Sequence, residues 1–191
     1  MNRREALSSV ALLLGGTIIG AEAFLSGCKA GESKLGASLN LTPNDISFLD
    51  EVGETILPTT ASSPGAKATK IGEFMRTIVN DCYEEKDQKI FLDGMQKLDA
   101  ASNTKNGKSF LSSDDKQRHD LLVDLDKEQK EYAHKKKPED PTHYFRMMKE
   151  LTLWGYFSSE AGATKALRYI AVPGRYEGCI PYKKGDKAWA T

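Results

Sequence analysis

Reactive side chains are scarce in this chain of 191 residues, which has three cysteines and three histidines. It has no Cys-x-x-Cys-His run to attach haem and no His-Glu-x-x-His pair to hold zinc. A glycine-rich phosphate loop and a nucleophile elbow are also missing, which removes nucleotide-binding and serine-hydrolase chemistry. Charge of one sign is lacking too, since 27 basic residues balance 27 acidic ones. That balance argues against nucleic acid as a partner, which wants a basic face, and against a polybasic membrane patch. No alternating strand pattern and no internal repeat occur. His119, His134 and His143 lie in polar or turn settings and read as surface residues. Asp114-Asp115, Glu84-Glu85 and Glu139/Asp140 fall at helix starts or in charge runs, so capping and solvation explain them better than acid–base work. Lys135-Lys136-Lys137 is most simply a solvated run, with an acidic partner surface as the alternative.

Long apolar runs are missing as well. The one candidate, residues 10–21, is shorter than the roughly 20 residues that span a bilayer. Gly15, Gly16 and Gly20 interrupt it and Glu22 follows. It lies between Arg3-Arg4 and Leu25-Ser26-Gly27-Cys28, the order of a bacterial export signal that ends in a lipoprotein cleavage box. Residues 2–8 resemble the twin-arginine pattern at both arginines and at Leu7, with Ala6 and Ser8 where Phe and Lys are common. The expectation is a signal over residues 1–27 and a lipid-bearing Cys28. Residues 28–40 follow as a flexible Gly-, Ser- and Lys-rich tether, and residues 41–191 as the folded domain on the periplasmic side of a membrane. Acyl chains contribute about 0.8 kcal/mol per buried CH2, so two or three of them anchor a protein firmly. With Cys28 assigned to lipid, Cys82 and Cys179 remain. In an oxidising compartment that pair reads most simply as a disulfide, the alternative being two separated thiols.

What is present is helical periodicity. Thr42-Pro43, with Asp45 in the first turn, marks a helix start, and Ile46, Leu49, Val52 and Ile56 form its apolar stripe. Pro58 stops it, and residues 59–69 are a small-residue loop. A second helix presents Ile71, Phe74, Met75, Ile78, Val79 and Cys82 on one face. A third spans about residues 86–100, followed by a polar loop over 102–108. Ser112 or Ser113 is expected to cap a fourth helix, whose buried face is Leu121, Leu122 and Leu125 and which fades into the charges of residues 127–137. Pro138 and Pro141 bracket a loop before the most apolar helix, with Tyr144, Phe145, Met148, Leu151 and Trp154. A short helical piece over residues 163–170 leads to a tail punctuated by Pro and Gly. The reading is all-α: one compact helical domain of five to six helices with an irregular C-terminal tail.

Aromatic and basic residues gather toward the C-terminus. Trp154, Tyr156, Phe157, Arg168, Tyr169, Arg175 and Tyr176 have the composition of a protein–protein interface, with core packing as the equal alternative.

At these residues the chain resembles a known family. Glu150-Leu-Thr-Leu-Trp-Gly-Tyr-Phe-Ser-Ser159 followed by Val172-Pro-Gly174 is similar to the C-terminal signature of the gluconate 2-dehydrogenase subunit 3 family. Glu54-Thr-Ile-Leu-Pro58 and Ser63-Pro-Gly-Ala66 resemble the turns that separate its first two helices. Gly162-Ala-Thr-Lys165 and Leu167-Arg-Tyr169 depart from the Gly-Asn and Trp of relatives. The resemblance implies a non-catalytic accessory subunit of a membrane-associated flavin-dependent sugar or polyol dehydrogenase. In such complexes a glucose–methanol–choline-type large subunit holds FAD, a cytochrome c with haem commonly takes the electrons, and the small subunit supports export, maturation and stability. No cofactor and no catalytic residue are then expected on this chain. The alternative is a free-standing lipoprotein binding module of the cell envelope.

Overall fold

Thr42 is where the chain commits to helix. The computed structural model describes residues 41–190 apart from 173, 176 and 177. The Thr42 N–H donates to the Asp45 carboxylate at 2.8 Å, and the Thr42 hydroxyl oxygen accepts the Asp45 N–H at 3.3 Å. This reciprocal cap, with Pro43 in the first turn, satisfies amide groups that a helix start leaves open. It launches α1 (Pro43–Ile56). A short 3-10 turn (Ala66–Thr69) precedes α2 (Ile71–Cys82), and α3 (Glu85–Asn106) follows. Another 3-10 turn (Phe110–Ser112) leads to α4 (Asp115–Lys135), then α5 (Tyr144–Ser158) and a π-type turn (Gly162–Ala166). No strand occurs among the described residues, so the all-α domain is as expected.

Helix α5 packs against all four other helices, which places it at the centre. Its composition requires this. Tyr144, Phe145, Met147, Met148, Leu151, Thr152, Gly155 and Tyr156 are all buried, a surface too wide for one neighbour to cover. Gly155 allows α2 to come close, because a Cβ there would lie 2.5 Å from Ile71 Cδ1 and Phe74 Cδ1. Leu49, Val52, Met75, Val79, Phe91, Leu98 and Phe110 complete the core. Each such side chain contributes about 1.5–3 kcal/mol by leaving water.

Helix α3 runs past residue 100, where a polar loop was expected. Ser102 is fully buried and its hydroxyl lies 3.1 Å from that of Ser113. Thr104 and Asn103 donate back to carbonyls one turn earlier, at 2.9 and 3.0 Å. The helix ends at Gly107, whose φ of 68° suits a residue without a side chain. The cap of α4 is Asp114 rather than Ser112 or Ser113. Its carboxylate accepts the Gln117 N–H at 2.9 Å, and the Gln117 side chain accepts the Asp114 N–H at 3.2 Å. The Ser113 hydroxyl is already occupied, donating to the Ser109 carbonyl at 3.0 Å. Helix α4 also continues through its charged half, because Gln129 stays buried and Asp126 binds Lys130 at 2.7 Å and Lys149 of α5 at 2.5 Å. Burial alone raises the Asp126 carboxyl. The hydrogen bonds from Lys130, Lys149 and Gln129 outweigh that effect and hold it at about 2.

Two sequence expectations are corrected. Cys82, the last residue of α2, and Cys179, in the C-terminal segment, are both exposed free thiols, so the disulfide between them is not formed. An even cysteine count limits how many thiols can pair and does not bring them together. His143 is no bland surface residue. It caps α5, its Nδ1 accepting the Phe145 N–H at 3.3 Å, and its ring stacks on Tyr144 with centroids 4.6 Å apart. Burial pushes the Tyr144 phenol up to about 12, and the nearby Glu128 charge adds to the shift.

Candidate partner interface

Ten large hydrophobic residues are exposed among the described ones, and all but Val123 lie between Leu153 and Trp189. On α5 the helical phase sorts them. Phe145, Met148, Leu151, Thr152, Gly155 and Tyr156 face the core, while Arg146, Glu150, Leu153, Trp154 and Phe157 face water. The outward face changes character along its length. Arg146 and Glu150 form an ion pair at 2.7 Å, and one turn later the face turns largely apolar, with Leu153, Trp154 and Phe157 beside the small Ser158. Trp154 is 55% exposed and Phe157 37%. Neither ring is loose: Trp154 meets Phe74 edge-on at 5.4 Å, and Phe157 meets Tyr156 at 5.1 Å.

Behind this face three sequence motifs meet. The Glu54 carboxylate accepts the N–H and hydroxyl of Thr59 at 2.9 and 2.8 Å and the Lys67 N–H at 3.0 Å. The Ala66 N–H donates to the Leu57 carbonyl at 2.9 Å. The Tyr156 hydroxyl then donates to the Pro64 carbonyl at 2.6 Å, across 92 residues of sequence. Glu54-Thr-Ile-Leu-Pro58, Ser63-Pro-Gly-Ala66 and Gly155-Tyr156 are therefore one structural staple. Tyr156 is only 3% exposed and belongs to that staple, not to the outer face on which it was expected.

After α5 the C-terminal segment folds back on itself. The Arg168 N–H donates to the Ala188 carbonyl at 2.8 Å, and the Ala190 N–H donates to the Arg168 carbonyl at 2.7 Å. The Arg168 guanidinium lies over the Trp189 ring, 4.6 Å from its centroid. These contacts close a loop from which Tyr169, Ile170, Val172, Ile180 and Tyr182 project into water.

A family model described as gluconate 2-dehydrogenase subunit 3 matches residues 43–174, more than half of the chain. The chain belongs to that family. No curated protein and no solved structure matches it. Membership of the gluconate 2-dehydrogenase subunit 3 family makes the chain a relative of one subunit of a dehydrogenase complex, and points to a larger dehydrogenase subunit as its partner. The matched region includes all five helices, the staple and the outward face of α5, and it stops inside the C-terminal loop.

The other expected interface residues divide as follows. Trp154, Phe157 and Tyr169 are exposed, Arg168 is half-buried as the clasp of the loop, and Arg175 is exposed on it. Tyr176 lies outside the described residues, as do Arg3, Arg4 and Cys28. Leu153, Ile170, Val172 and Ile180 were missed, although the phase of α5 gave a signal for Leu153. Away from this region, a cleft of about 670 Å3 lies between α1 and α3 and includes Asp45 and Asp99. Both carboxylates are in use, Asp45 in the cap of α1 and Asp99 accepting the Phe110 N–H at 2.8 Å. No group of three or more His, Cys, Asp or Glu side chains that could hold a metal ion occurs among the described residues. No helix among them is long and apolar enough to cross a membrane.

Proposed function

We propose that this chain is the non-catalytic small subunit of a flavin-dependent dehydrogenase acting on sugars or polyols. It grips a glucose–methanol–choline-type large subunit that carries FAD, and supports that partner's export, maturation and stability. A cytochrome c bearing haem takes the electrons away. The observation that carries this reading is the concentration of outward-facing apolar residues between Leu153 and Trp189 in a member of a dehydrogenase-subunit family. Exposed apolar side chains gathered in one stretch of the chain favour a contact with another molecule there, and rigid aromatic rings are the usual anchors of such contacts.

The Arg3-Arg4 pair fits a role as carrier. A twin-arginine leader serves folded cargo, and a flavoprotein already holding its cofactor is such a cargo. Lipid on Cys28 would then hold the pair at the periplasmic side of a membrane. Purification of the tagged full-length chain from its own cells in mild detergent tests the reading. A flavoprotein, recognised by its flavin absorbance, is expected in equal amount. Arg3-Arg4→Lys-Lys is expected to strand both proteins in the cytoplasm. A monodisperse lone chain would end the proposal, and loss of this chain alone from the envelope would remove its role as carrier.

A further inference from the structure

The zero net charge of the chain conceals a division along its length. Residues 41–160 carry 17 basic against 22 acidic side chains, whereas residues 161–191 carry 6 basic against 2 acidic. The basic excess falls in the segment that also turns its apolar residues outward. Two backbone hydrogen bonds and the Arg168–Trp189 contact tie the base of that segment, and the Lys187 ammonium reaches the Lys165 carbonyl. A loop closed in this way has less conformational freedom to lose when it binds. Lys183 and Lys184 are exposed on it, next to the exposed Tyr182, in a turn where the Lys183 N–H donates to the Asp186 carboxylate at 2.9 Å.

We infer that this loop is a basic docking arm for an acid-rimmed surface of the dehydrogenase large subunit, with Leu153, Trp154 and Phe157 of α5 as the apolar anchor. The inference rests on the function proposed above and adds the charge and the division of labour of the contact. Three observations select the occupant. Membership of a subunit family requires a face for another subunit, and this is where exposed apolar residues concentrate among the described ones. The anchor rings are held edge-on by Phe74 and Tyr156, an orientation that matters to a protein partner with fixed pockets and not to fluid lipid. A second copy offers its own acidic body to the loop, but that contact is head-to-tail and leads to open chains of copies instead of a closed pair. The family match ends at residue 174, so the anchor lies inside it, and Lys183 and Lys184 lie beyond it. The charges beyond it match this chain to its own partner.

The two parts act on different rates, since rim charges steer encounter and buried anchors govern escape. The flavoprotein that accompanies the full-length chain is separated from it and allowed to rebind, and both rate constants are followed across a salt series. Lys183→Glu with Lys184→Glu is expected to slow association by about tenfold or more at low salt and to flatten its salt dependence, leaving dissociation unchanged. Trp154→Ala is expected to speed dissociation while the salt dependence stays. Circular dichroism checks that each variant is folded, and Lys183→Arg with Lys184→Arg is expected to restore the wild-type association rate. Equal association of wild type and the charge-reversed variant at every salt concentration overturns the inference while the proposed function stands. So does a variant that fails only to bind phosphatidylglycerol–phosphatidylethanolamine vesicles, or only to self-associate, for the arm then serves a membrane or a second copy. If no flavoprotein accompanies the chain, the proposed function fails and the arm falls with it.

Discussion

From α1 to the middle of α5 large apolar side chains turn inward and charges turn outward, with acid in excess. From Leu153 onward many of the large apolar side chains turn outward and the charge becomes basic. The two regions also differ in what holds them. In the body, side chains such as Phe91, Phe110, Phe145 and Met148 are almost wholly removed from water, and burial supplies the stabilisation. At the base of the loop two backbone hydrogen bonds, the Arg168–Trp189 contact and the Lys187–Lys165 contact hold it closed, while Tyr169, Ile170, Val172 and Tyr182 stay more than half exposed. On the proposed function, folding strength and binding strength reside in different stretches of the sequence, and substitutions can separate them.

The largest effect is expected in the body. Phe145→Ala removes a ring from the helix that touches every other helix, and should destabilise the fold by about 3–5 kcal/mol. Urea denaturation measures it, and a loss under about 1 kcal/mol would mean that the core is not organised around α5. Tyr156→Phe is the intermediate case. It keeps the ring and leaves the Pro64 carbonyl without its donor, for a loss of about 1–2 kcal/mol. The same variant should still carry the flavoprotein through purification. If binding fails while the fold survives, Tyr156 acts at the contact after all, and the boundary between the two regions has been drawn in the wrong place.

How far each region could be read in advance depended on how local its chemistry is. Thr42-Pro43 with Asp45 announces the start of α1 because the whole cap lies within four residues. The extension of α3 was hidden because Ser102 is tolerated inside only through its contact with Ser113, a partner in another element. The same contact, together with Ser109, removed Ser113 as a cap and left that task to Asp114. Composition placed Tyr156 with its aromatic neighbours on the interface. Helical phase separates it from Trp154 and Phe157, because it shares the inward side with Phe145, Met148 and Thr152. The disulfide was inferred from a count, and a count holds no distance. The closure of the C-terminal loop had no local signal, since Arg168 and Trp189 are 21 positions apart in a stretch without periodicity.

The smallest expected effect is the sharpest test of the difference between the regions. Val172 is 81% exposed, more than any other large hydrophobic residue described. If the loop is a binding surface and not a lid on the core, Val172→Ser removes no contact within the chain. Stability should then change by less than about 0.5 kcal/mol, as for an ordinary surface substitution. The urea midpoint should coincide with that of the wild type, while the amount of flavoprotein retained on the tagged chain should fall. A loss of stability above about 1 kcal/mol would place Val172 against the helices, because burial on that scale accounts for such a loss and exposure does not. The outward-facing residues would then be part of the fold, and the body alone would have to supply the contact with the large subunit.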